Sequence, residues 1–244
     1  MKNYRLTIQY SGKNYSGWQI QPNVKTVQGE IVKSINTITG VDVNLIGSGR
    51  TDSGVHALGQ VANFKMNDEL DLLKLKHSLN SLLPTDIAII DISEEMLEFH
   101  SRFDAQKRSY LYLFTHEKSP FYSDYSYHYK NIFNIEISNL NEISKLLVGE
   151  YDFTSFSRKK TDAENMVCNI AFARWKRVKN FIIFRIDANR FLHGMVRTIV
   201  GTVLQIAEQN LPCEKILEII NQKSRNSAGR AVSAKGLFLL NVKY

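Results

Sequence analysis

One stretch of the 244-residue chain sets residues able to do chemistry in a fixed arrangement, Gly47-Ser48-Gly49-Arg50-Thr51-Asp52-Ser53-Gly54-Val55-His56-Ala57-Leu58-Gly59-Gln60. Glycine is used where the backbone takes positive φ or lets another group come close. Four glycines around one Arg-Thr-Asp therefore hold an acid and a base on a defined turn. The same residues would also suit a plain connection, in which Asp52 and Thr51 bond their own backbone as Asx and Ser/Thr turns do. A phosphate-cradling Walker loop does not fit. That pattern needs Lys and then Ser or Thr after its last glycine, and Gly54 is followed by Val55-His56.

The elements that must position this loop follow from periodicity. Residues 4–10 alternate as a strand, and residues 27–39 follow as an amphipathic helix with Thr26 as N-cap. A strand near 41–46, the glycine loop, a strand near 60–64, a helix near 70–83 and a strand near 87–92 complete a β-α-β-β-α-β order. The second half repeats it, with a strand at 108–114, a helix near 140–148, strands at 168–178 and 181–187, a helix at 191–207, an extra helix near 213–222 and a strand at 237–243. The expected class is α+β, two tandem ferredoxin-like units with a central antiparallel sheet and a basic cleft. Their expected limits are 1–102 and 103–244, and the polar run 157–165 is the candidate insertion.

Composition bounds the function. With 43% hydrophobic residues the chain can bury one large core or two fused small ones. The N-terminus has no continuous apolar segment and no later run approaches membrane-spanning length, so a soluble, cytoplasmic protein without a membrane partner is expected. Cys168 and Cys213 have no CxxC spacing, and the six histidines have no metal-ligand spacing, so no metal is expected. The net charge of +7 is uneven: residues 1–122 carry 13 Lys+Arg against 13 Asp+Glu, whereas residues 123–244 carry 18 against 11. Arg158-Lys159-Lys160, residues 174–179 and residues 225–235 are its densest parts. A pI near 9.3 with clustered arginine points to nucleic acid over a merely solvated surface.

The residues also carry a resemblance. GSGRTDSGVHALGQVANF is similar to the signature of the TruA-type tRNA pseudouridine synthases. Companion motifs in the family's order include Tyr10-Ser11-Gly12, Gly17-Trp18-Gln19, Thr26-Val27-Gln28, Arg108-Ser109-Tyr110, Asp152 to Phe156, Phe191-Leu192-His193, Met195-Val196-Arg197 and Lys235-Gly236-Leu237. Together they span nearly the full length. Cys168, Thr198 and residues 231–234 depart from the family pattern.

The resemblance implies isomerisation of uridine to pseudouridine in the anticodon arm of tRNA, at positions 38–40, by a homodimer without a cofactor. It assigns Asp52 as nucleophile, either attacking the anomeric carbon or initiating elimination to a glycal. No second carboxylate stands at fixed spacing from Asp52, which disfavours ordinary glycoside hydrolysis, where a separate acid protonates the leaving group. Tyr110 would stack on the flipped uracil. Its strand neighbours Tyr112 and Phe114 read as core. Arg50 would brace the extruded nucleotide, and Arg158, Lys159 and Lys160 would bind RNA. On the 191–207 helix, Arg197 falls between Gly194 and Gly201. Two helix glycines imply a close backbone approach, expected to be the Asp52 loop, with Arg197 pairing with the Asp52 carboxylate. A paralogue acting on another RNA and a catalytically silent RNA-binding module remain the alternatives. The second should carry an RNP-type aromatic strand, which is absent.

Overall fold

In the computed structural model, which describes residues 1–158 and 165–244, the alternation of the N-terminal stretch becomes β1 (Lys2–Tyr10), with Tyr4, Leu6, Ile8 and Tyr10 buried at every second position. Helix α1 (Val27–Thr39) starts where the Thr26 hydroxyl accepts the Gly29 N–H at 3.3 Å, and it stops on left-handed Gly40. β2 (Ile46–Gly47), β3 (His56–Met66), α2 (Leu72–Leu82) and β4 (Ile87–Glu95) follow. β1 lies antiparallel between β3 and β4, and β2 pairs antiparallel with β3 at Ala62 and Asn63. That is a ferredoxin-like order, β4-β1-β3-β2. The same edge of β3 also takes β10 (Leu237–Lys243), in parallel and only at its first residues, with Phe238 opposite His56 and Leu239 opposite Ala57. Val27, Ile31 and Ile35 of α1 and Leu75 and Leu79 of α2 are buried. Each fully buried side chain of this size contributes about 1.5–3 kcal/mol.

These elements make up the first of two compact units, Met1–Gln106 with Phe238–Tyr244; the second is Lys107–Leu237. The expected limits place the last strand in the second half, whereas its residues from Phe238 onward group with the first unit. A short apolar strand can add to whichever sheet has an open edge, and local sequence does not specify which.

The second unit contains β5 (Lys107–Thr115), β6 (Tyr127–His128), α3 (Ile137–Lys145), β7 (Gly149–Asp152), β8 (Val167–Val178), β9 (Phe181–Ala188), α4 (Met195–Glu208) and α5 (Lys215–Asn221). Strands β5, β9, β8 and β7 pair antiparallel in that order, and β6 adds in parallel to the end of β5. The β8–β9 hairpin turns at Lys179, which takes φ 52°. Trp175 organises the core. Its ring lies 4.6 Å from that of Phe184 and 5.7 Å from that of Phe114, and its indole N–H donates to Ser144 Oγ on α3 at 2.8 Å. Tyr112 and Phe114 are fully buried, as expected. The fold is mixed α+β, mostly antiparallel. The expected 41–46 strand shrinks to Ile46–Gly47, the strand expected near 60–64 begins at His56, the 191–207 helix begins only at Met195, and β6 and β7 are additional to the expected elements.

Candidate active site

The Asp52 loop is held from below by the segment after β1. Gly17 has φ +96°, and a Cβ there would come within 2.5 Å of the Thr51 carbonyl oxygen; that oxygen instead accepts the Trp18 N–H at 3.1 Å. Only glycine satisfies both demands. The Thr51 side chain is buried and its hydroxyl shares a 2.8 Å hydrogen bond with the Tyr10 phenol. Ser53 donates to the Tyr15 carbonyl at 3.1 Å, and the Val55 N–H closes the turn on the Asp52 carbonyl at 3.1 Å. At the far end a Cβ on Gly12 would lie 2.6 Å from the Val55 carbonyl carbon. The Gly12 N–H donates to Nδ1 of buried His56, whose ring stacks on Phe238 at 4.7 Å. On the near side, Gly47 sits against the Trp18 indole, while Ser48 Oγ donates to Gln60 and the Gln60 amide donates to the Gly49 carbonyl.

Every backbone neighbour of Asp52 is thus tied to a buried group, and Asp52 itself is half-buried beside exposed Arg50. Fixed flanks around one partly accessible carboxylate let it meet a reacting atom without first ordering the loop, which is where oriented catalysis gains most. Tyr10, Gly12, Gly17, Trp18 and His56 form this support. Their motifs were visible in the sequence, but their role depends on contacts tens of residues apart.

The other expected site residues lie in the second unit. Tyr110 on β5 faces Ile186 of β9, is 8% exposed, and meets the edge of Phe191 with ring centroids 5.1 Å apart. Arg158 follows the turn Thr154–Phe156; Lys159 and Lys160 lie outside the described residues. Arg197 is on α4, where its Nε donates to the Val232 carbonyl at 2.8 Å while the Val232 N–H donates back to the Arg197 carbonyl at 3.1 Å.

Of the two glycines expected to mark a close backbone approach on this helix, one does. Gly194 is not inside the helix; it is the N-cap, at φ 74°, and a Cβ there would meet the Arg158 side chain. Gly201 does face a close backbone, with the Arg230 carbonyl carbon 3.0 Å from where its Cβ would stand. The Gly201 side of the helix is covered by residues 229–232, where Thr202 Oγ1 accepts the Gly229 N–H and pins that segment to α4. Thr198, one of the departures from the family pattern, donates to the Gly194 carbonyl and strengthens the first turn.

One buried acid stands beside Tyr110 in this sheet. Asp187 on β9 is opposite Ser109 and takes a two-pronged grip from Arg185, at 3.0 and 2.9 Å, with Lys107 Nζ at 3.6 Å. Burial alone would raise its carboxyl, but the bonds from Arg185 and the charge of Lys107 outweigh this and hold it below the usual carboxylate range. The other departure, Cys168, is fully buried, and desolvation pushes its thiol up to about 11. Among the described residues no cluster of His, Cys, Asp and Glu could hold a metal ion, and no helix is long and apolar enough to cross a membrane.

The architecture is that of an α+β protein that presents one fixed, partly accessible carboxylate on a glycine-framed loop. The sequence matches the tRNA pseudouridine synthase family over residues 6–104 and 143–244. Full-length similarity runs to tRNA pseudouridine synthase A of Caldicellulosiruptor saccharolyticus, 42% identical over all of both chains. It runs also to the enzyme of the same name from Bacteroides thetaiotaomicron, 40% identical over all of this chain and 91% of that one. A third relative, tRNA pseudouridine synthase A 2 of Bacillus cereus, is 39% identical over all of both chains. The chain belongs to the tRNA pseudouridine synthase family.

Proposed function

We propose that this protein isomerises uridine to pseudouridine in tRNA, with Asp52 as nucleophile. The observation that carries the reading is the half-buried Asp52 carboxylate on a loop whose flanks are fixed by Gly12, Gly17, Thr51 and His56, in a chain of this family. The reaction breaks the bond from uracil N1 to ribose C1′ and rejoins the ring through C5. A carboxylate oxygen either adds to C1′ as N1 departs or removes the C2′ proton to give a glycal. The uracil then turns, and C5 bonds to C1′ as the carboxylate oxygen leaves that carbon or, from the glycal, as the proton returns to C2′; the proton on C5 is lost and N1 gains one, so neither redox chemistry nor an added reactant is needed.

In this reading the base leaves its stack and packs against the Tyr110 ring, while Arg50 braces the nucleotide and Arg197 pairs with the Asp52 carboxylate and orients it. The substrate uridines are those of the anticodon arm, positions 38–40, and two copies of the chain form the basic cleft that takes the arm. The protein works in the cytoplasm.

Mapping pseudouridine in tRNA and rRNA from cells with and without this protein tests target and activity together. Loss confined to the anticodon arm supports the reading, and loss in rRNA alone overturns it. Asp52→Asn should abolish turnover while tRNA affinity stays near wild type, because a carboxylate adds only repulsion towards phosphate. Residual turnover within about tenfold of wild type, roughly 1.4 kcal/mol of barrier, would show that Asp52 is not the nucleophile.

A further inference from the structure

The second unit has an open cavity of about 430 Å³ lined by Arg158, Arg225, Asn226, Ala228, Gly229 and Arg230. Three guanidinium groups and a side-chain amide line it, and among the described residues no carboxylate does. Among the described residues neither Arg158 nor Arg230 has an ion-pair partner, and Arg225 spends one N–H on the Ala228 carbonyl at 3.2 Å. Arginines usually acquire counter-charges or spread apart, because like charges this close repel. Here they are kept together by backbone. The Gly229 N–H is tied to Thr202, the Val232 N–H to the Arg197 carbonyl, and the Arg158 N–H to the His193 carbonyl. Gly229 leaves no room for a side chain, since a Cβ would lie 2.9 Å from Thr202 Cα, so the segment stays seated on α4.

From this we infer that the cleft is a phosphate site, and that Arg158, Arg225 and Arg230 grip a backbone phosphodiester of the bound RNA away from the reacting uridine. The planar fork of arginine matches two phosphate oxygens, and three forks with an amide can satisfy the whole anionic edge without sensing the base. The site explains an excess that the strand and helix pattern leaves unused, because residues 225–230 belong to no helix or strand. The ligand follows from the proposed action on tRNA, and the inference rests on that reading for its source of phosphate. The same 229–232 strip carries Arg230 on one side and accepts Arg197 Nε on the other, so a phosphate drawn into the cleft steadies the support of Arg197.

The test measures tRNA binding by the full chain across roughly 50–200 mM salt, for wild type, Arg158→Gln, Arg230→Gln and the double variant, with thermal melting of each. The double variant should bind about tenfold more weakly at the lower salt. Its plot of log affinity against log salt should be shallower by about one, the share of one neutralised phosphate. Arg225→Lys, which keeps the charge and loses the fork, should weaken binding by a smaller factor. Titration with inorganic phosphate should show weak binding to wild type and none to the double variant. An unchanged affinity and slope in a double variant that melts like wild type overturns the site. Loss of phosphate binding with an unchanged tRNA slope also overturns the RNA assignment, since the cleft then serves a free phosphate compound. A wild-type protein that shows the expected slope differences but forms no pseudouridine upholds the cleft and sinks the proposed reaction, so the two ideas fail separately.

Discussion

Gly12→Ala tests how far the chemistry depends on the backbone beneath Asp52. The new Cβ would stand 2.6 Å from the Val55 carbonyl carbon and 2.9 Å from the Val55 nitrogen, where ordinary contact begins near 3.4 Å. The atoms in the way are backbone, so no rotamer can relieve the clash. The Val55 carbonyl oxygen lies nearer still, so Val55 and the turn it closes on the Asp52 carbonyl must withdraw by more than about 1 Å. Overpacking of this kind costs about 1–3 kcal/mol of stability. A 1 Å misplacement of a reacting group costs about 10²-fold in rate. The variant should thus remain folded at 25 °C yet turn over about 100-fold more slowly at saturating tRNA. Release of tritium from C5-labelled uridine in tRNA reads the step directly, since that hydrogen is lost when C5 bonds to C1′. Leu79→Ala, which removes a fully buried side chain of α2 far from the loop in sequence, gives the comparison: about 2–5 kcal/mol less stable, with kcat within a few-fold of wild type. If Gly12→Ala keeps kcat within twofold, the fixed loop is not what aligns the carboxylate.

Other perturbations report on separate parts of the molecule. Arg197→Lys loses the Nε bond to the Val232 carbonyl and any two-pronged grip on a carboxylate, so kcat should fall more than tenfold with tRNA affinity little changed; equal kcat would remove Arg197 from the mechanism. Asp187 has a depressed folded pKa, so its contribution to stability is present above the unfolded value near pH 3.9 and lost as pH falls through the lower folded value. Urea midpoints measured from pH 6 to pH 3 should therefore drop less steeply in Asp187→Asn than in wild type, and parallel curves would exclude this pair as a source of acid sensitivity. The Cys168 thiol, buried and pushed up to about 11, should react with a disulfide reagent at pH 8 only as fast as the protein opens, whereas half-exposed Cys213 reacts in the native state.

What sequence could reveal here depended on whether the governing contacts were local. The alternation in residues 2–10 and the Thr26 cap with its following apolar stripe are local, and β1 and α1 match them closely. β3 begins at His56, four residues before the strand expected near 60–64. In the structure Gly59 is needed within the strand, where a Cβ would come 2.8 Å from the Leu240 carbonyl oxygen of β10. Leu192 continues the apolar stripe of α4, and only the left-handed N-cap at Gly194 shows why the helix cannot begin earlier. The Asp52 loop stood out by composition, yet Gly12, Gly17 and Tyr10 act on it from about 40 residues away, and no periodicity records such a contact. The arginines of the 158–230 cleft were legible as charge but not as a cluster.

The pairing of β10 with the first residues of β3 has a consequence for biosynthesis. Phe238 and Leu239 lie about 180 residues beyond the His56 and Ala57 that they pair with. At about 5–20 residues per second, the β3 edge beneath the glycine-framed turn therefore waits roughly 10–40 s, uncovered, on the ribosome. Such an edge is a template for mispairing. The half of the protein that carries the Asp52 loop, though translated first, is thus matured last, when the nascent chain delivers the strand that stacks Phe238 on His56.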